Sequence, residues 1–331
     1  METAFILLVV TLVLTLIFDY INGFHDAANA IATVVSTRVM KPLHAVVYAG
    51  ILNFSGAMMG TEVAATIGKG LVDAETININ TILCTVIAAI AWNLITWWKG
   101  LPTSSSHALI GSLLGASFFS IKDDSAIHWD KVMEKVVLPM FTSPVLGVTL
   151  GFFIALSLIW SVRGIKLGKI NRVFGRLQII SAGFMALNHG RNDAQKSMGI
   201  MALALFLTYP AEQFDVPMWV KLSCAIAMGL GTMSGGWRII RTLGNKMVKL
   251  QPIHGFAAET TASIIIGGAS SLGIPVSTTQ VISTSIMGVG ATKRLSATRW
   301  GIVANILWAW VLTIPLTFSF AGALMWAFKH I

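Results

Sequence analysis

The chain has 331 residues, 55% of them hydrophobic and only 11% charged, with a mean hydropathy of +0.76. Soluble domains carry about 25% charged residues, so this composition excludes a protein that keeps a polar surface in water. The net charge of +9 does not mark a nucleic-acid binder, because the basic residues sit in short gaps between apolar runs, where they set membrane topology.

Apolar stretches near or above the ~18–20 residues that span a bilayer recur along the chain. In order they cover 4–37, 43–67, 77–98, 101–120, 137–160, 177–209, 218–237, 253–272, 274–292 and 300–328. Polar residues interrupt the first at 19–29 and the sixth at 188–197. The pattern predicts an all-α polytopic membrane protein of about 10–12 membrane segments, with interrupted helices or re-entrant hairpins. The first stretch lacks a basic start, carries Glu2 and has no cleavage site, so it reads as a span and not as a signal peptide. Cys84 and Cys224 fall inside apolar stretches, without metal-ligand spacing.

The gaps differ in charge. Arg38 with Lys41, then Lys99, then Arg163, Lys166, Lys169, Arg172 and Arg176 stand without a nearby acid. The same holds for Arg238, Arg241, Lys246 and Lys249, and for Lys293, Arg294 and Arg299. The intervening gaps hold Asp73, Glu75, Asp123, Asp124, Asp130, Glu134, Glu212 and Asp215. The two kinds alternate, as they must if each apolar segment crosses once. By the positive-inside rule the all-basic gaps are cytoplasmic and both termini lie outside.

An internal repeat joins the two halves. Leu101-Pro-Thr-Ser-Ser-Ser-His107 resembles Ile274-Pro-Val-Ser-Thr-Thr-Gln280, and Gly23-Phe-His-Asp-Ala27 resembles Gly190-Arg-Asn-Asp-Ala194. The matches occur in the same order, and five crossings separate the members of each pair. An odd number of crossings inverts the second copy. The expected organisation is therefore a first repeat at 1–160, a cytoplasmic basic linker at 161–176, and an inverted second repeat at 177–331. Such repeats place substrate and ion sites at polar breaks near the midplane.

The first break holds Asp19, Asn22, His25, Asp26 and Asn29; the second holds Asn188, His189, Arg191, Asn192, Asp193, Gln195 and Lys196. Ionisable groups inside a span cost several kcal/mol unless paired or hydrated, so they are functional candidates. Asp26, Asp193, Asn22 and His25 are the candidates for coupling a cation, because carboxylate and amide oxygens suit Na⁺ or a proton relay. Pro102 and Pro275 fit the first position of a half-helix. The hydroxyls of Ser104, Ser105, Ser106, Ser277, Thr278 and Thr279, with the free amides of two helix N-termini, fit a tetrahedral oxyanion. Glu62 and Glu259 are also intramembrane acids, but neither has a counterpart in the other half.

Gly23-Phe-His-Asp-Ala-Ala-Asn-Ala-Ile-Ala-Thr33 and His189-Gly-Arg-Asn-Asp-Ala-Gln-Lys196, with the two Pro-Ser/Thr segments, resemble the paired signatures of the inorganic phosphate transporter family. His25 is similar to its bacterial branch. The resemblance implies symport of inorganic phosphate with H⁺ or Na⁺, an inverted-repeat fold, a multi-pass place in the bacterial inner membrane, and often a homodimer. It implies phosphate binding by the Ser/Thr triplets with Asn29 and Asn192, and Na⁺, where that is the ion, at Asp26, Asn29, Asn192 and Asp193. It calls for no cofactor beyond the coupling cation. Arg191 stands where the family usually has a small residue, which makes it a candidate for anion selectivity and keeps a sulfate or other oxyanion permease as the alternative. The imidazole of His25 beside Asp26, a proton-carrying side chain that Asn would not supply, favours protons over Na⁺. An intramembrane hydrolase using His and Asp is the remote alternative. A duplicated, inverted acid and the lack of a nucleophile or metal-ligand motif speak against an enzyme.

Overall fold

The computed structural model describes residues 2–121, 124–209, 213–242, 250–292 and 300–330, and among them the architecture is helical, with one isolated β-bridge between Val72 and Ile127. The first part of the chain forms α1 (Glu2–Ser36), α2 (Pro42–Ala57), α3 (Glu62–Ala65), α4 (Ile79–Lys99), α5 (Ser105–Ile121), α6 (Trp129–Val132) and α7 (Leu138–Ser161). The second forms α8 (Leu167–Thr208), α9 (Met218–Ser234), α10 (Trp237–Arg241), α11 (Pro252–Ser271), α12 (Thr278–Ala291) and α13 (Trp300–His330). Single π turns extend α3 and α6, at Thr66–Gly70 and Met133–Val137. Of the basic gaps, Lys246, Lys249, Lys293, Arg294 and Arg299 lie outside the described residues, as do Asp123 and Glu212 among the acids. The basic stretch 161–176 is mostly helical, because α8 already starts at Leu167.

Helix starts and stops follow local chemistry. Pro42 and Pro252 open α2 and α11, where a missing N–H breaks no bond. The Asn78 side chain caps α4 by accepting from the Thr81 amide at 3.1 Å. After α4 the chain reverses at Gly100 (φ 66°), and after α11 at Gly273 (φ 64°); both are left-handed positions that favour glycine. These matched reversals launch α5 and α12.

The molecule buries polar and ionisable side chains within an apolar core and exposes large apolar ones. Trp160 is 68% exposed and Phe141 64%, whereas Asp19, His25, Asn53 and Glu259 are all at 0%. Water would expel such a surface; lipid tails accept it. Among the described residues, four helices are long and apolar enough to cross a membrane, α1, α4, α6 with α7, and α13 from Val303; the α2–α3 pair, bent by 64°, makes a fifth if it is one span.

Two expectations are corrected here. The polar stretches 19–29 and 188–197 do not interrupt their helices: α1 runs unbroken for 35 residues and α8 for 42. The reason is geometric. Asp19, Asn22, Asp26, Asn29 and Thr33 fall on one face of a regular helix, and that face is buried against polar partners, so no backbone needs to be freed. The segments 101–120 and 274–292 are also not full crossings by length. Their helices, α5 and α12, have 17 and 14 residues, or about 25 and 21 Å at 1.5 Å per residue, against a hydrocarbon core of ~30 Å.

Helix packing follows a reciprocal pattern. α1 packs on α9 as α8 packs on α2; α5 packs on α13 as α12 packs on α7. α4 lies against α1, α5 and α13, and α11 lies against α8, α12 and α7. Exchanging α1 with α8, α2 with α9, α4 with α11, α5 with α12 and α7 with α13 leaves the pattern unchanged. α1 and α8 also cross each other, as do α2 and α9. The matched motif glycines explain two of these contacts. A Cβ on Gly23 would collide with the Met228 carbonyl of α9, and one on Gly190 with the Asn53 carbonyl of α2.

Candidate functional site

The N-termini of α5 and α12 arrive at the crossing of α1 and α8, each begun by the same cap. Ser104 Oγ accepts from the His107 amide at 3.1 Å, and Ser277 Oγ accepts from the Gln280 amide at 3.2 Å. Ser104 and Ser277 are therefore committed to their own helices as N-caps. Pro102 and Pro275 stand two residues ahead of these caps, outside the helices, which corrects their assignment to the first helical position. Each is the centre of a tight turn, in which the Thr103 amide donates to the Leu101 carbonyl and the Val276 amide to the Ile274 carbonyl, both at 2.9 Å.

The remaining hydroxyls face α1 and α8. Thr278 and Thr279 Oγ1 accept from Asn29 Nδ2, at 3.2 and 2.9 Å. Thr278 Oγ1 donates to Asp193 Oδ2 at 3.0 Å, and Thr279 Oγ1 to Asp26 Oδ1 at 3.4 Å. A single dipeptide at the start of α12 thus bridges the acid of each half. On the α5 side, Ser105 Oγ lies 3.5 Å from His25 Nδ1. Ser106 Oγ accepts from Lys196 Nζ and lies 3.4 Å from the Val276 carbonyl. His25 Nδ1 bonds Asp26 Oδ1 at 2.7 Å, and its Nε2 reaches Thr96 Oγ1 at 3.1 Å.

The two acids are close neighbours. One ligand atom from each of Asp26, His189 and Asp193 lies within 4.8 Å of the others. His189 Nε2 is 3.1 Å from Asp193 Oδ2, but not aligned for a hydrogen bond; its Nδ1 lies 3.1 Å from Asn53 Oδ1. Lys196 Nζ pairs with Asp193 Oδ1. Asn192 Nδ2 donates to Ser270 Oγ at 2.8 Å and to the Ile274 carbonyl at 3.3 Å, tying α8 to the α11–α12 turn. The Oδ1 atoms of Asn22, Asn29 and Asn192 are buried acceptors without a protein donor. Buried acceptors of this kind want a cation or a hydrogen-bond donor. These amide oxygens and the Asp26 carboxylate are of the hard donor type that Na⁺ selects.

The structure thus gathers Asn29, Asp26, His25, Ser105, Ser106, Thr278, Thr279, Asn192 and Asp193, with Asn22 one turn from Asp26 on the same buried face. It does not bring Arg191 there. Arg191 turns away, with its guanidinium 3.8 Å from the half-exposed Glu62 carboxylate. Three buried groups stand out in the sequence but receive no specific role there. Lys196 is 2% exposed and held inside the site. Asp19 accepts from Ser197 Oγ at 2.8 Å, and its seven-residue spacing from Asp26 is the signal that places both on one helical face. Glu259 gathers Thr33, Gln178 and Ser181, a grouping with no local sequence signal because each residue comes from a distant segment. Gln195 serves the fold: its Oε1 accepts from the Val63 amide at 2.7 Å at the start of α3.

Comparisons with known proteins agree with this arrangement. A sequence model of the "Phosphate transporter family" matches residues 22–321. A "Probable low-affinity inorganic phosphate transporter" of Bacillus subtilis is 44% identical over 320 residues, 96% of each chain. One of the same description from Rhizobium meliloti is 45% identical over 314 residues, 94% of this chain and 93% of that one. A solved structure titled "The sodium-dependent phosphate transporter" superposes with a TM-score of 0.87 at 26% identity, covering 98% of this chain and 99% of that one.

Proposed function

Because the chain belongs to the phosphate transporter family, we propose that it is a secondary transporter carrying inorganic phosphate across the bacterial cell membrane together with a cation. The hydrolase alternative falls away, since the relatives are transporters and not enzymes. The observation that carries the reading is the convergence of the α5 and α12 N-termini on Asp26 and Asp193. Free backbone amides with the hydroxyls of Ser105, Ser106, Thr278 and Thr279 grip the anion from two sides, aided by both helix dipoles. Asn29 and Asn192 both tie their helices to the α11–α12 segment, through Thr278 and Thr279 and through Ser270 and the Ile274 carbonyl.

A phosphate anion entering a negative interior works against ~2.3 kcal/mol per charge per 100 mV, so a cation must travel with it. Asp26, Asn22 and Asn29 receive that cation. The His25–Asp26 pair supports H⁺; the oxygen set supports Na⁺, the ion in the structural neighbour's title. The reciprocal helix packing supports two inverted halves, 1–160 and 177–331, each with a hairpin, α4–α5 or α11–α12, whose second helix is short. The positive-inside rule then places both termini outside. Arg191, the residue behind the sulfate alternative, faces Glu62 instead of the site, which favours phosphate.

The test is uptake of [³²P]phosphate and [³⁵S]sulfate into proteoliposomes under separate Na⁺ and pH gradients. Phosphate accumulates under one of the gradients, identifying the ion, and excess sulfate does not compete. Sulfate accumulation that phosphate fails to inhibit overturns the reading.

A further inference from the structure

We propose that the Lys196 ammonium is a tethered cation that permanently fills the Asp193 half of the site, so that a transported cation is taken only at the Asp26 half. This rests on the cation-coupled reading above and adds what that reading leaves symmetric: the number of mobile cations.

The matched motifs align Asp26 with Asp193, and three residues further on they align Asn29 with Lys196. One helical turn past each acid, one half has a neutral amide and the other a positive charge. The two side chains reach equivalent places. Asn29 Nδ2 meets Thr279 Oγ1 at the start of α12, and Lys196 Nζ meets Ser106 Oγ at the start of α5; Ser106 and Thr279 are themselves matched.

An ammonium has three N–H groups, and three oxygens surround this one. They are a carboxylate oxygen of Asp193, the Ser106 hydroxyl and, at 3.1 Å, the Val276 carbonyl. Carboxylate, hydroxyl and backbone carbonyl are the oxygen types a hard cation selects, and Nζ stands where such an ion would stand. With every N–H engaged, none remains free for the phosphate. A second cation at Asp193 would have to share these oxygens with a like charge.

The Asp26 half is built differently. Among the described residues, the side-chain oxygens of Asn22 and Asn29, at 2% and 1% exposure, have no donor, and Asp26 pairs with His25 and with no lysine or arginine. That half accepts a mobile cation where the other already holds one. The result is an asymmetric pair made from symmetric parts.

The experiment uses the full-length protein. In wild type, equilibrium ²²Na⁺ binding gives at most one ion per chain, and the Hill coefficient of phosphate uptake for the driving ion is one. Lys196→Asn puts at Asp193 the amide that Asn29 supplies at Asp26, and it raises bound Na⁺ and the Na⁺ Hill coefficient by about one. Lys196→Gln is the second variant if Lys196→Asn does not purify as a monodisperse species. Two Na⁺ bound per wild-type chain overturn the proposal with no variant needed. A variant whose cation count stays at the wild-type value while its KM for phosphate rises tenfold or more also overturns it, and makes the ammonium a phosphate ligand. Failure of the phosphate reading is seen separately, as wild-type proteoliposomes that take up no phosphate.

Discussion

The buried turn of α1 from Asn22 to Asn29 and that of α8 from His189 to Lys196 are the same piece of structure used twice, with different charge. Each presents an acid to the start of α12, packs a motif glycine on a neighbouring helix, and sits at the α1–α8 crossing. Asp26 is partnered by a histidine and a threonine. Asp193 is partnered by a lysine as well as a threonine. The difference teaches that a duplicated frame can keep its geometry while the residue one turn past each acid changes from an amide to an ammonium. In the α8 half, acid and base neutralise each other inside the protein. In the α1 half, among the described residues, Asp26 pairs with His25 and with no lysine or arginine.

The sharpest way to break the comparison is to remove each acid. Asp193→Asn strands a buried ammonium, a loss of about 3–5 kcal/mol by the general cost of orphaning a buried charge, so its thermal midpoint in detergent drops sharply. Asp26→Asn strands no lysine or arginine, so the fold survives with phosphate uptake abolished. Equal thermal midpoints for the two variants would contradict the assignment of different roles.

A smaller effect separates the two hydroxyl triplets. Thr278 donates to Asp193 and accepts from Asn29, and a hydrogen bond to a charged group contributes about 1.5–3 kcal/mol. Thr278→Ala therefore lowers phosphate kcat/KM by roughly tenfold or more. Ser105→Ala removes only a 3.5 Å contact to His25 and one anion-facing hydroxyl, so its loss is smaller. The reverse order in transport assays would move the anion towards the α5 side. Smallest of all is Arg191→Gln. Its 3.8 Å pairing with half-exposed Glu62 belongs to the class of ion pairs worth about 0–1 kcal/mol, so the KM values for phosphate and sulfate stay at the wild-type level. A shift in the phosphate-to-sulfate ratio would return Arg191 to the anion site.

Much of this was legible before any coordinates. The four motifs, their pairing and the acids Asp26 and Asp193 stand out because polar residues in apolar runs are conspicuous. The unbroken course of α1 did not stand out, although Asp19, Asn22, Asp26, Asn29 and Thr33 share a helical stripe. A polar stretch can end a helix or line one buried face, and only the partners on α8, α11 and α12 decide which. Lys196 was passed over for a related reason: beside Arg191 and His189 it reads as one more base in a polar stretch. Its meaning comes from oxygens supplied by α5, the α11–α12 turn and Asp193. The capping role of Ser104 and Ser277 was not legible, since sequence cannot separate a hydroxyl that binds its own helix from one that only faces a ligand.

The most direct test of the central claim is anomalous diffraction from crystals grown with arsenate, a tetrahedral analogue of phosphate whose heavy atom can be located without reference to the protein density. The account predicts one peak between the α5 and α12 N-termini, in reach of the Ser105, Ser106, Thr278 and Thr279 amides and hydroxyls and beside Asp26. A peak at Arg191 or at the basic 163–176 stretch, with none between the two helix starts, would contradict it.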